Sequence, residues 1–325
     1  MSTRAGDLDE EARASAALVV GEALVDVVHR GEATREHPGG SPANVALGLA
    51  RLGRPTRLLT RLVDDERGRR VAEHLGASGV VLAAPLLPPS PTVRTSTAQA
   101  TLDADGGARY TFDLDWSLRP QDVDAVAGAA SPVVVTGSLG TALAPGAEQV
   151  RTLLETLRPT STVVYDPNLR PSIIGEATSA RPGVEALVAI SDVVKLSAED
   201  AEWLFPERSP EETVRSWLGL GPALVVLTRG GDGALAVCAA GEVDEPGRRV
   251  EVADTVGAGD SFTGGLVDAL WSAGLLGADR RDALAAVDLD VLRSCVAAAT
   301  DVSAVTVSRP GADPPTRAEL VDLQA

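Results

Sequence analysis

The chain reads as an α/β protein with a doubly wound, mostly parallel sheet and helices on both faces. Two observations predict this. Short β-branched runs alternate with amphipathic stretches almost from end to end, and no internal repeat or low-complexity linker interrupts them. The 325 residues, 44% hydrophobic and 23% charged, suffice for a substantial core in one domain, expected over 16–325. With aromatics at only 3%, that core must be built from Ala, Val and Leu.

The elements follow in order. Residues 1–15, MSTRAGDLDEEARAS, are acidic, lack the apolar region of a signal peptide and are expected to be a disordered leader. Leu18–Val28 reads as the first strand and Arg57–Val63 as the second, with helices over Pro42–Leu52 and Glu66–Leu75. In Pro42–Leu52, Val45, Gly48, Leu49 and Leu52 make the buried stripe, Ser41 stands as N-cap before Pro42, and Gly53 stops the helix. PLLPPSPT (85–92) is an exposed loop. Val93–Asp115 breaks the pattern: period-two alternation flanks Asp103-Ala104-Asp105-Gly106-Gly107, which is a β-hairpin with no helix after it. Such a hairpin either extends the sheet or stands away from it. Strands then follow at Pro132–Leu139, Thr162–Pro167 and Asp192–Leu196, with helices over Gly146–Leu157 and Val184–Ile190. Thr228-Arg229-Gly230-Gly231-Asp232-Gly233 lies between two further apolar strands, and RRVEVAD (248–254) reads as a strand leading to a helix that starts near Asp260.

Charge and composition exclude several functions. A net charge of −17 argues against nucleic acid or an anionic membrane as main partner, although it leaves a local anion site open. No apolar run is long enough for a spanning helix, and the expected location is cytoplasmic. Cys238 and Cys295 sit in apolar or Ala-rich runs and are expected as reduced core residues. His29, His37 and His74 have no metal-ligand spacing. Lys195 is the single lysine of the chain, while arginine is plentiful.

The stretch DTVGAGDSFTGG, Asp254 to Gly265, carries the chemistry. Gly257, Ala258 and Gly259 form a turn almost free of side chains at a helix start, where unpaired backbone N–H groups and the helix dipole favour an anion. There is no G-x-x-x-x-G-K-[ST] and no lysine after the glycines, so this is not a P-loop. A carboxylate beside such a turn, Asp260, suits removal of a proton next to a transferring phosphoryl group. An N-cap for the helix is the competing role for the same residue.

These residues resemble the C-terminal signature of the ribokinase-like sugar kinases, the family that includes fructokinases. A second signature, HPGGSPANVALGLARLG (His37–Gly53), stands near the N-terminus where that family has one. The resemblance covers about residues 16–318. It implies a ribokinase-like fold in which the hairpin near 94–115, completed by 26–37, forms a small β-lid over the sugar. It implies an ATP-dependent sugar kinase, most similar to fructokinases through GEALVD, the GGSPANV segment, DPNLRP and SRPGADPPT. Kinases of 2-keto-3-deoxygluconate or ribose, or a sugar- or nucleotide-binding regulator without turnover, remain alternatives.

Carried onto this sequence, the resemblance makes Asp260 the general base and Gly257, Ala258 and Gly259 the anion hole. Asp26, Gly39, Gly40, Asn44 and Arg170 become sugar contacts. Asn168, Lys195, Ser197, Asp200, Thr228, Gly230 and Gly233 fall on the nucleotide and phosphate side, and Glu199 and Asp254 on the metal side. ATP and Mg²⁺ are the implied cofactors, with K⁺ an open addition, and a homodimer through the lid is an open assembly. Lys195–Asp200 departs from the family's K-x-N-x-x-E, since Ser197 replaces Asn and either Asp200 or Glu199 stands for Glu. A helix start capped by Ser197 explains the same letters. Trp116, Phe112 and Tyr110 suit either packing or a lid contact with sugar.

Overall fold

The computed structural model describes residues 14–30, 33–102, 108–129 and 131–324. Most of the expected leader (1–13) and the hairpin turn (103–107) lie outside the described residues. The strands are β1 (Ala17–Val20), β2 (Leu24–Arg30), β3 (Ala33–Gly39), β4 (Thr56–Leu59), β5 (Val80–Leu82), β6 (Thr97–Leu102), β7 (Ala108–Asp113), β8 (Val133–Gly137), β9 (Thr162–Asp166), β10 (Val193–Ser197), β11 (Leu224–Thr228), β12 (Ala234–Cys238) and β13 (Gly241–Glu245). The helices are α1 (Ser41–Arg51), α2 (Glu66–Ala77), α3 (Pro120–Ala127), α4 (Gly146–Leu157), α5 (Pro171–Ile174), α6 (Ala177–Ile190), α7 (Ala198–Leu204), α8 (Pro210–Leu218), α9 (Ala258–Ser272), α10 (Arg281–Ala285), α11 (Leu289–Val307) and α12 (Arg317–Gln324).

The main sheet runs β13-β12-β11-β10-β9-β8-β1-β4-β5. It is parallel from β5 to β11 and closes with the antiparallel strands β12 and β13. Strand alternation feeds two cores. Ala17 and Val19 of β1 face the layer of α1, α2, α9 and α11, whereas Leu18 and Val20 face the layer of α4, α6, α7 and α8. The order reverses beside β1, which pairs with both β4 and β8, so the carboxyl ends of β1, β8, β9 and β10 open onto one crevice.

A separate four-stranded sheet, β3-β2-β6-β7, is built from the two hairpins expected as lid segments. Its roots are tied to the body around α2. Glu36 of β3 accepts from Arg67 Nε at 3.1 Å and Arg70 at 3.0 Å, and Asp65 accepts from the Thr95 backbone at 2.8 Å. Arg61 pairs with Asp115 at 2.5 Å. Trp116, just beyond, is buried and donates to the Gly140 carbonyl at 2.9 Å, which makes it a packing residue.

Three sequence expectations are corrected. Leu18–Val28 is two strands in two sheets; the chain leaves the main sheet at Gly21, where a Cβ would lie 2.3 Å from Pro42 Cγ. RRVEVAD is not a strand: Val250 and Val252 are 40% and 59% exposed, and the segment ends with Ala253 N and Asp254 N donating to the Val307 carbonyl at the end of α11 rather than to a strand. Arg57–Val63 ends its ladder at Leu59. Cys238 and Cys295 are free and buried as expected, and burial pushes the Cys295 thiol up to about 11. Among the described residues no helix is long and apolar enough to cross a membrane.

Candidate active site

Helix α9 packs between α1 and α11, most tightly where Gly265 lacks a side chain. Gly264 faces α1, where a Cβ would lie 3.7 Å from the Val45 carbonyl oxygen, and Gly265 faces α11, where it would meet Ala299 Cα at 3.0 Å. This packing sets the start of α9 against the start of α1. Asp260, third residue of α9 and 6% exposed, is met there by three donors. Ser41 Oγ donates to its Oδ1 at 2.7 Å, Asn44 Nδ2 to its Oδ2 at 2.8 Å, and Asn168 Nδ2 to Oδ1 at 3.2 Å. Burial pushes the Asp260 carboxyl above its usual pKa, and the Ser41 and Asn44 hydrogen bonds oppose the shift.

Neither N-cap expectation holds. The N-cap of α9 is Gly257 (φ 76°), with no side-chain cap, so Asp260 is free to point at α1. The N-cap of α1 is Gly40 (φ 103°), not Ser41, whose hydroxyl is committed to Asp260. Gly257 needs its positive φ, and a Cβ there would also sit 2.7 Å from the Ala312 Cβ. No side chain caps the first turn of α9; Ala258 N donates to the Thr255 carbonyl at 3.3 Å, while the Gly259 and Asp260 N–H groups lack intrahelical acceptors, as an anion site requires.

Lys195 lies on the other side of this turn. It is 3% exposed, and its Nζ is 3.1 Å from Asp166 Oδ2, which also accepts from Thr263 Oγ1 of α9 at 2.9 Å. Asp166 Oδ1 is buried with no hydrogen-bond partner in the described residues. Burial works against the Lys195 charge, but Asp166, Asp200 and Asp260 outweigh it and raise the ammonium pKa. Asp200 is pushed up to about 6, first by burial and then by Asp166, while its Oδ1 accepts from the Leu169 backbone at 3.0 Å.

Of the residues expected on the sugar side, Asp26 lies within β2, Gly39 ends β3, Gly40 and Asn44 stand at the start of α1, and Arg170 follows β9. Asp26 is raised by burial, against the charges of His37 and Arg170. Gly39 makes room for it, since a Cβ on Gly39 would lie 2.1 Å from Asp26 Oδ2. Gly40 passes the Glu22 carbonyl at 2.6 Å by the same measure. Arg170 folds back on the β9–α5 loop, donating to Asn168 Oδ1 at 2.6 Å and to the Leu169 carbonyl at 3.0 Å. Asn168, at φ 39°, joins the halves: its Nδ2 donates to Ser41 Oγ at 2.7 Å as well as to Asp260.

The remaining residues sit around this centre. Ser197 caps α7, accepting from Asp200 N at 3.0 Å; Glu199 is exposed on the first turn and Asp200 is buried. Asp254 accepts from Val256 N at 3.0 Å and Gly311 N at 2.9 Å, clamping two loops. Thr228 ends β11, opposite Ser197 in the sheet, and Gly230 (φ 54°) and Gly233 (φ 95°) turn the chain into β12. As donor sets for a divalent cation, Glu199 offers a solvent-facing carboxylate, whereas Asp254 would share its oxygens with two amides. The side chain of Tyr110 lies outside the described residues, and Phe112 is half-buried.

Four participants escaped the sequence reading. Asp166 carried a usable signal, a carboxylate at the end of a parallel strand. Ser41, taken for a cap, and Thr263, inside the helix pattern, carried none. Glu22, just after β1, is buried, accepts from Gly140 N at 2.8 Å and is pushed up to about 7 by burial; an acid between two apolar runs was the visible hint.

The model of the pfkB family of carbohydrate kinases matches residues 15–319. The chain is 31% identical over 289 residues to a fructokinase of Rhizobium leguminosarum bv. trifolii, covering 85% of each chain. It is 31% identical over 306 residues to a fructokinase of Klebsiella pneumoniae, covering 91% of this chain and 96% of that one. Among solved structures it is similar to a double-mutant fructokinase of Vibrio cholerae O395 in its fructose, ADP and potassium ion bound form. That likeness has a TM-score of 0.79 at 27% identity, over 95% of this chain and 98% of the other.

Proposed function

The chain belongs to the pfkB family of carbohydrate kinases, and from that premise we propose that it is an ATP-dependent fructokinase. The observation that carries the reading is Asp260: a buried carboxylate, held by Ser41, Asn44 and Asn168, at the mouth of an uncapped helix start. Asp260 takes the proton of a sugar hydroxyl as its oxygen forms a bond to the γ-phosphorus and the bond to the ADP oxygen breaks. The N–H groups of the Gly257–Gly259 turn face the charge that grows on the transferring group.

Asp26, Gly39, Gly40, Asn44 and Arg170 take the sugar under the lid, which excludes water as a competing acceptor. Asn168, Lys195, Ser197, Asp200, Thr228, Gly230 and Gly233 border the phosphates and nucleotide. Glu199 would hold Mg²⁺ through water, and the Asp254 loop is where a K⁺ ion would lie. When bound, Mg²⁺ supplies charge neutralisation at the phosphate oxygens. The fructose assignment rests on the fructokinase relatives and on the fructose-bound structure of similar fold.

A coupled ADP-release assay over a panel of sugars tests this, with fructose expected to give the highest kcat/KM. Preference for 2-keto-3-deoxygluconate or ribose would overturn the substrate, and nucleotide binding without turnover of any sugar would overturn the kinase.

A further inference from the structure

We infer that Lys195 is a positioning residue for phosphoryl transfer: its ammonium, anchored on Asp166 Oδ2, sets the seat of the Gly257–Gly259 turn and supplies the buried positive charge facing Asp260. This rests on the kinase reading above.

Composition raises the question. Of 29 basic residues, Lys195 is the single lysine, and arginine serves at every other basic position. Geometry supplies a reason. A Cβ on Gly259 would lie 2.9 Å from Lys195 Nζ, so the ammonium already touches the turn where its side chain ends. A guanidinium is broader and planar and would have to displace α9, whereas an ammonium is a compact point charge. Gly259 and Lys195 are therefore a matched pair, one lacking a side chain where the other ends. The turn's positive φ falls on Gly257, so backbone conformation does not account for a glycine at 259.

The anchoring joins three elements. Asp166 Oδ2, from β9, receives Lys195 of β10 at 3.1 Å and Thr263 of α9 at 2.9 Å. A bridge serving stability alone would satisfy its polar atoms, yet Asp166 Oδ1 is buried without a partner. Charge points the same way. Asp166, Asp200 and Asp260 are all 8% exposed or less, and Lys195 is the buried cation among them. Arg170 is exposed and turned onto the carbonyls of its own loop. Removing the ammonium takes away a positive charge near Asp260 while Asp166 stays, and with the Ser41 and Asn44 hydrogen bonds unchanged the balance moves toward its protonated form.

The test uses Lys195→Met, Lys195→Arg and the double variant Asp166→Asn/Lys195→Met. Lys195→Met should lower kcat by about 10²-fold, the scale of a misplaced catalytic group, with the sugar KM within about threefold. Its kcat/KM–pH profile should lose activity on the acid side at higher pH than the parent. Lys195→Arg should lower kcat with the acid limb in place, because charge is kept and fit is lost. The double variant removes both charges of the pair, should melt within a few degrees of the parent and should stay slow. A double variant with parental kcat, or Lys195→Met turning over within threefold, overturns the proposal.

One readout needs no turnover. Selective ¹⁵Nζ-lysine labelling yields one side-chain ammonium signal, since there is one lysine. That signal should be slow to exchange with water and should move in Asp260→Asn without ligand. An unmoved signal refutes the coupling whatever the chain phosphorylates, and a moved signal in a chain that phosphorylates nothing would fault the kinase reading instead.

Discussion

The two glycine-bearing helix starts, at α1 and α9, look alike in sequence and do opposite work. Both place a glycine with positive φ at the N-cap, Gly40 at 103° and Gly257 at 76°, and both follow it with small residues. At α1 the first turn carries side-chain donors, Ser41 and Asn44, and turns them onto a carboxylate of the other helix. At α9 the first turn carries that carboxylate and otherwise presents bare backbone, with Lys195 behind it. In the reaction proposed above, one start organises and the other reacts. Glycine in such a motif therefore marks where the backbone comes close, and the neighbouring polar residues decide whether that closeness serves chemistry or support.

The comparison breaks most directly at Asp260. Asp260→Asn should keep the fold and sugar affinity and lower kcat by about 10²–10⁴; steady-state kinetics showing turnover within tenfold of the parent would move the reacting role away from α9. Next comes Gly259→Ala. Its methyl would sit 2.9 Å from Lys195 Nζ and must displace it from its place beside Asp166 by some tenths of an ångström while leaving φ unstrained, so the protein should fold and bind fructose. Turnover should fall by about 10², corresponding to one preorganised donor at about 2.7–4 kcal/mol. Equal kcat in the variant would reduce the glycine to a turn former.

On the organising side the effect should be smaller. Ser41→Ala removes a hydrogen bond that favours ionised Asp260, so the carboxyl pKa, already raised by burial, rises further. The acid limb of the kcat/KM–pH profile should move up by about one unit, with kcat near parental on the plateau. A shift downward, or none, would separate Ser41 from the base. The smallest effect on rate concerns the lid: hydrogen exchange in β6 and β7 should slow when fructose binds. Unchanged exchange at saturating sugar would reassign the hairpins to subunit pairing through an exposed edge.

Much of the frame was legible because it rests on local pattern. The runs that became β8, β9 and β10 are buried almost throughout, and the paired valines that open or centre each of them say so. The glycine motifs stand where two helices start, at Gly40 and Gly257. What the sequence could not disclose is which partners meet. Ser41 as cap and Ser41 as donor to Asp260 are the same letter, and only the approach of α9 to α1 decides between them. Val250 and Val252 alternate like a strand, yet the backbone that follows them is tied to the end of α11, a contact the alternation cannot show. Asp166 and Lys195 are 29 residues apart in sequence and meet because β9 and β10 are neighbours in register.

Gly264 and Gly265 carry a last consequence. They lie four and five residues beyond Asp260, about 6–7.5 Å along the helix axis, and touch α1 on one flank and α11 on the other. The position of Asp260 is thus held on the α11 flank by a mechanical stop: a Cβ at Gly265 would meet Ala299 Cα at 3.0 Å and Val302 at 3.1 Å, whereas one at Gly264 would make only ordinary contact with α1. A methyl at Gly265 would act as a shim. It would press α9 toward α1, so that a change made wholly inside the packing would register as a fault of aim at the site.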